Sequence, residues 1–271
     1  METTTNPNES KSQKGGPFIS FILLEEPFWD KNECIQNLMT EWGIHAIETT
    51  TQDDKHADVL LAESDGMMFS IGYLPSPVPH NEAEKCAATN FYWPEAVKET
   101  EKHKAHVIVA VFPKDHALTD AACLLVKLCD TCSIPKHVLG VYSSGTVFHP
   151  ASYRDSAKDM KTGDFPIFNL IFFGFFRTER DCLEGYTYGL FRFGKKEIEI
   201  PDCTAEPDDL LQFMVSVSEY ILSTDTDLND GDTIGTDAGM KLPITVSEGT
   251  NVVGLTCKIA YKTRKPKNRK A

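Results

Sequence analysis

The chain has 271 residues, 41% of them hydrophobic and 25% charged, and carries a net charge of −13. That length suits one large domain or two ordinary ones with a substantial core, and the acidic balance excludes nucleic acid as the main partner, because phosphate binding needs a basic surface. No stretch reaches the roughly 18 apolar residues of a membrane span, and residues 1–16 are polar without an apolar leader, so a cytoplasmic chain with no membrane contact and reduced thiols is expected.

Residues 18–24 are almost continuously apolar and predict a central strand. Asp30 is a good N-cap for a helix over 31–42, where Cys34, Ile35, Leu38, Met39 and Trp42 recur at helical spacing, and Gly43 ends it. Strands are expected at 57–62 and 67–73, joined by a hairpin turn at Asp65-Gly66. A proline-rich elbow, Leu74-Pro-Ser-Pro-Val-Pro79, leads to a helix over 82–92. Pro94 kinks this helix or opens a second one, and 105–112 closes the unit as a buried strand. The order β-α-β-β-α-β is that of a ferredoxin-like sandwich.

An amphipathic helix over 118–132, with Thr119 as N-cap, bridges to a second half. There the pattern gives a strand at 137–142, a short helix at 152–160, and strands at 167–176, 186–193 and 197–200. A helix over 207–222 follows, with Leu210, Leu211, Met214, Val217 and Ile221 as its buried stripe. The last strand is 252–261, and 242–246 reads as an extra edge strand because proline suits an edge. The expected fold is therefore α+β, with two tandem ferredoxin-like sandwiches, side by side or packed as one unit. The expected partition is a disordered tail at 1–16, a first unit at 17–116, the bridging helix at 117–136, a second unit at 137–261 and a basic tail at 262–271. The basic tail reads as a solubilising end.

Pro75-Ser-Pro-Val-Pro79, Glu82-Ala-Glu84, Asn90-Phe-Tyr-Trp-Pro-Glu-Ala96 and His103-Lys-Ala-His-Val107 resemble an uncharacterised bacterial family, domain of unknown function 4261. Tyr186-Thr-Tyr-Gly-Leu190, Phe193-Gly194, Glu197-Ile-Glu199 and Asp230-Gly-Asp-Thr-Ile-Gly235 carry the same resemblance. It implies a cytoplasmic bacterial protein, and by association a place near toxin and immunity systems or stress responses. It brings no established reaction and so no catalytic residues.

Three patterns bear on chemistry. Cys129-Asp-Thr-Cys132 has redox or zinc spacing, with Cys123 and His137 as further ligands, but it stands at a helix end, where the dipole opposes a thiolate, and it reads as structural. Asp225-Thr-Asp-Leu-Asn-Asp-Gly-Asp232 begins like a calcium loop and then departs from it, with Thr236 where a glutamate is required, so it reads as an acidic, flexible linker. Glu82, Glu84, Asn90, Trp93, Glu95, His103 and His106 form the best polar and aromatic cluster for acid–base work or binding. Among these, and with Tyr92, the binding candidates are Asn90, Tyr92, Trp93, Glu95, Glu82 and His106. No phosphate loop, nucleophile elbow or dinucleotide fingerprint occurs, and neither cofactor nor metal is expected. The expected function is a non-catalytic protein-binding module acting as a monomer or weak dimer. The alternative is an enzyme or small-ligand binder with a cleft between the halves near residues 90–95, and the two part on whether Asn90, Trp93 and Glu95 share a concave pocket.

Overall fold

A computed structural model describes residues 16–48, 58–179, 181–235 and 239–262, so the two expected tails lie outside the described residues except for Gly16 and Lys262. Strand β1 (Phe18–Leu24) runs into helix α1 (Lys31–Trp42). Asp30 caps α1 as expected, accepting from the backbone N–H groups of Asn32 and Glu33 at 2.8 and 3.1 Å, and Gly43 closes it at φ 64°. After β2 (Ile47–Glu48), strands β3 (Val59–Ser64) and β4 (Met67–Leu74) form the expected hairpin. Asp65 and Gly66 both have positive φ, 51° and 79°, which matches the right-handed twist of the flanking strands.

Helices α2 (Glu82–Ala87) and α3 (Ala96–Thr100) replace the longer helix expected over 82–92. The Asn90 side chain is the reason. Its Oδ1 accepts from the Tyr92 N–H at 3.0 Å, a local turn that competes with helix continuation. Strand β5 (Ala105–Phe112) and helix α4 (Leu118–Cys132) follow, the helix starting after Ala117 with no side-chain cap and not at Thr119. Strands β6 (Val138–Ser143) and β7 (Thr146–Phe148) make a second tight hairpin through Ser144 and Gly145, whose φ values are 48° and 68°.

The remaining elements are α5 (Pro150–Ala157), α6 (Ile167–Leu170), β8 (Phe172–Arg177), β9 (Leu183–Tyr188), β10 (Glu197–Cys203), α7 (Pro207–Thr224), β11 (Thr233–Ile234), β12 (Leu242–Glu248) and β13 (Leu255–Ile259). The expected strand at 167–176 is thus split: its first turn is helical, with the Asn169 amide donating to the Tyr153 carbonyl at 2.7 Å.

The fold is mixed α+β, built on two sheets. The first has seven strands in the order β2-β3-β4-β5-β1-β6-β7, and the second six in the order β11-β12-β13-β10-β9-β8. Two sequence expectations need correction. First, β1 and β3, between which the chain passes through α1 and the short β2, lie three places apart in the order and run antiparallel to each other, so the first sheet is not the split β-α-β of a ferredoxin-like sandwich. Second, β6 and β7 do not open a second unit at residue 137. They extend the first sheet, because β1 keeps a free edge after pairing with β5 and β6 takes it, matching Phe21 to Tyr142 and Ile22 to Val141.

Helices α1, α4 and α5 cover one face of the first sheet, so α4 is part of its core and more than a bridge. Helices α2 and α3 cover part of the other face through Leu23, Ala83, Ala87, Ala96 and Val147. Helix α7 packs on the second sheet with Leu210, Met214, Val217 and Ile221 buried as expected, joined by Phe213, while Leu211 stays partly exposed. One continuous apolar core joins Ile22 and Leu125 of the first half to Ile198 and Phe213 of the second. Arg192 ties the halves together at the rim. Its Nη1 lies 3.3 Å from the hydroxyls of both Ser143 and Ser144, its Nη2 donates to the Ile19 carbonyl at 3.2 Å, and the guanidinium lies over the Phe18 ring.

Candidate functional site

Strand β7 ends the first sheet and β8 ends the second, and between these strands lies a cavity of about 230 Å³. Three stretches of chain build most of it. The first is the turn after α2, which contributes Asn90, Tyr92 and Trp93. Asn90 is buried and fixes this turn against the free edge of β7, its Nδ2 donating to the Val147 carbonyl at 2.8 Å. Thr89 reinforces it through its hydroxyl, which donates to the Gly145 carbonyl at 3.2 Å. The Tyr92 ring meets Phe172 and Phe175 edge-on. Desolvation, aided by the charge of Asp208, pushes the Tyr92 hydroxyl up to about 12, so it stays a neutral donor.

The second stretch is α5 with the residue before it. His149, Ser152, Tyr153 and Ser156 line the cavity, and their spacing of three, four and seven places them on one face of the helix. His149 caps α5 by accepting the Ala151 N–H on Nδ1 at 3.2 Å, so its neutral ring carries the proton on Nε2. The third stretch supplies Phe168, Asn169, Ile171, Phe172 and Phe173 from α6 and β8, and α7 adds Leu211. The walls are mainly aromatic and aliphatic, with a few polar groups among them, which is the usual make-up of a small-molecule site.

Two polar atoms stand out. Asn169 is 1% exposed, and its Oδ1 has no hydrogen-bond partner although its Nδ2 is used. The Tyr153 hydroxyl is also buried without an oxygen or nitrogen partner, and burial followed by the nearby Cys129 thiol holds its pKa well above the ordinary range. An unpaired buried acceptor is costly, and such atoms call for an explanation.

Glu95 does not reach this cavity. It lies with Glu99, Lys136 and Arg154 along an open groove of about 510 Å³ on the other side of Trp93 and His149, and these two residues line both hollows. Asn90, Trp93 and Glu95 therefore do not converge in one pocket. Trp93 is half-buried at the shared wall, with its ring edge-on to His149 at 5.0 Å.

Glu82 and His106 lie elsewhere, Glu82 at the exposed start of α2 and His106 buried beneath the proline-rich elbow. Glu82 Oε1 accepts from the Tyr142 hydroxyl at 2.6 Å. The Nδ1 of His106 bonds the Ser76 carbonyl at 2.7 Å, and burial lowers its pKa, only partly offset by that bond. His103 accepts the Val78 N–H at 2.9 Å on Nε2 and bonds the Thr100 carbonyl at 2.6 Å through Nδ1. Both histidines thus pin the elbow through their ring nitrogens. Glu84 Oε1 approaches His103 at 3.5 Å, and its Oε2 is buried without a partner.

Cys129 and Cys132 are both buried free thiols. Cys132 Sγ lies 3.8 Å from Cys34 Sγ across α1 and α4, and that contact together with burial raises its pKa well above the ordinary range. Burial pushes Cys129 up to about 12, which keeps it a protonated thiol. His137 bonds the Phe28 carbonyl. Among the described residues no group of three or more His, Cys, Asp or Glu side chains could hold a metal. The acidic segment from Asp225 is pinned, contrary to the flexible linker expected. Lys195 pairs with Asp225 and Asp227 at 2.7 and 3.0 Å, and Asp230 accepts the Val246 N–H at 2.9 Å.

Two glutamates of β10 organise the loops of the second sheet. Glu197 accepts from the Thr187 hydroxyl and from the N–H groups of Gly189 and Phe191 at 2.6, 2.7 and 3.1 Å. That fixes the short helical turn Leu190–Phe193, and with it Arg192. Glu199 accepts the Thr250 and Asn251 N–H groups at 2.8 and 2.6 Å, holding the loop between β12 and β13.

Residues 186–260 match the family model of DUF4261, a domain of unknown function. The family resemblance read from the sequence is thereby supported over this segment. It covers β10, α7 and the three strands that follow, including both organising glutamates. Of the cavity walls the DUF4261 segment supplies only Leu211, and the rest comes from residues 90–173. No curated protein and no solved structure matches the chain. No helix among the described residues is long and apolar enough to cross a membrane.

The cavity walls on α5 and α6 were missed by sequence reasoning. The helical spacing of His149, Ser152, Tyr153 and Ser156 was the available signal. Nothing in the local sequence marked Asn169, because its unpaired oxygen is a property of the packed core.

Proposed function

We propose that the chain is a binding protein that takes a compact, largely apolar molecule with one hydrogen-bond donor in the cavity between β7 and β8. The observation that carries this reading is a mainly apolar cavity whose wall includes Asn169, a buried residue whose Oδ1 has no partner. A donor on the ligand satisfies that oxygen while its body fills the aromatic walls. Apolar cavities of roughly 150 Å³ accommodate benzene, so about 230 Å³ has room for one or two rings. The test is a titration of indole and phenol followed by protein-observed NMR, on the parent and on Ser156→Phe, which fills the cavity from α5. Saturable shifts that vanish in the variant are expected. Identical responses in both proteins, or none up to millimolar probe, overturn the reading.

A protein partner is the second reading, and exposed aromatic side chains near the cavity favour it. Phe91, Tyr92, Phe168 and Phe176 are each 42–54% exposed beside the edge strand β8, and clustered exposed aromatics mark interaction surfaces. Under this reading Phe91→Ser with Phe176→Ser abolishes capture of a defined partner while leaving indole binding intact. Retained capture rejects it.

A further inference from the structure

The cavity and the groove beyond it meet at one ring pair. Trp93 and His149 line both, and no other described residue does. The two hollows differ in chemistry. The cavity walls are mainly apolar, whereas the groove presents charges of both signs. Two of those charges are already used: Glu99 pairs with Lys102 at 2.6 Å and Arg154 with Asp130 at 3.1 Å. Glu95 and Lys136 are exposed, and their side chains make no ion pair or hydrogen bond among the described residues. Glu95 starts α3 without capping it through its side chain, and Lys136 lies on the loop between α4 and β6, so the two stand on different elements bordering the same groove.

A carboxylate and an ammonium left free beside an apolar socket are complementary to a molecule with the opposite arrangement. We propose that cavity and groove form one bipartite site for a zwitterion with an apolar, ring-sized body, namely an α-amino acid with an aromatic side chain. The ring occupies the cavity, the ammonium group of the amino acid faces Glu95, and its carboxylate faces Lys136 and the Nε2–H of His149. The assignment rests on the cavity being the ligand site and adds the charged half to it. Free charges in an open groove contribute little to affinity by themselves, because solvent screens them. Beside a filled apolar socket, they decide which ring-bearing molecule is retained.

Isothermal titration tests this with L-tryptophan, tryptamine and indole, on the parent, Glu95→Gln and Lys136→Gln. Both substitutions are on the surface and keep the fold. In the parent, L-tryptophan is expected to bind at least tenfold more tightly than tryptamine or indole. Each variant should lose most of that advantage while binding indole as the parent does. If indole, tryptamine and L-tryptophan bind the parent equally, the groove takes no part, and the bipartite site falls while the cavity site stands. An L-tryptophan advantage that survives in both variants also overturns the assignment of Glu95 and Lys136. If even indole fails to bind the parent, the cavity reading fails and takes the bipartite site with it.

Discussion

Replacing Asn169 by leucine separates a structural role for this residue from a binding role. The side chain is 1% exposed, its Nδ2 donates to the Tyr153 carbonyl at 2.7 Å, and its Oδ1 is unpaired. Asn169→Leu removes the hydrogen bond, a loss of about 0.5–1.5 kcal/mol. It also removes the orphaned acceptor, whose burial costs about 1–3 kcal/mol. Leucine has the same branching and number of heavy atoms, so no void is left. The two effects oppose each other, and the variant should unfold within about 1 kcal/mol of the parent. Asn169→Ala loses the same bond and leaves a void, so it should be less stable than the leucine variant. Urea denaturation followed by the fluorescence of Trp29, Trp42 and Trp93 measures both. In NMR titrations the leucine variant should keep its affinity for toluene and lose its preference for phenol. A loss above roughly 3 kcal/mol in Asn169→Leu would show that Oδ1 is satisfied in the folded protein, and the argument for a donor-bearing ligand would collapse.

Other expectations follow from the same geometry. Gly66→Val places a β-branched residue at φ 79° in the hairpin turn and should cost about 1–3 kcal/mol by urea melting; a parental midpoint would mean the turn is not strained. Glu197→Ala strands the Gly189 and Phe191 N–H groups and the Thr187 hydroxyl, so a loss of about 3–5 kcal/mol is expected, and a loss below 1 kcal/mol contradicts it. Burial raises the Glu197 pKa above its ordinary 4.5, so the folded state holds the proton more tightly than the unfolded one. Its contribution to stability therefore falls as pH rises from 4.5 through the raised folded value, and a stability–pH curve for Glu197→Gln should lack that fall. Trp93→Ala should lower the melting temperature without unfolding the chain, since the ring is only half-buried, whereas Glu95→Ala should stay within about 1 kcal/mol of the parent.

What the sequence by itself determined was local. Asp30 and Gly43 announced both ends of α1, because capping depends on residues a few places apart. Asp65-Gly66 announced its hairpin, because only certain residues adopt two consecutive positive φ values. Strands β1 and β5 and the stripe of α7 were legible from periodicity alone. Tertiary structure decided the rest. The free edge of β1 recruits β6 across more than a hundred residues, and no pattern within either strand encodes which edge will be open. The turn at Asn90 ended a helix that periodicity extended, since a side-chain hydrogen bond outcompeted the next helical turn. Helix α6 broke an apolar run that reads as one strand. The cavity lies furthest from sequence, for its walls come from residues 90–93, 148–156, 168–173 and 211. Asn90, Tyr92 and Trp93 stood out in the sequence, whereas the other wall residues are unremarkable where they stand in the chain. Only the approach of two sheet edges brings them together, and only in that packed state is the oxygen of Asn169 left without a partner.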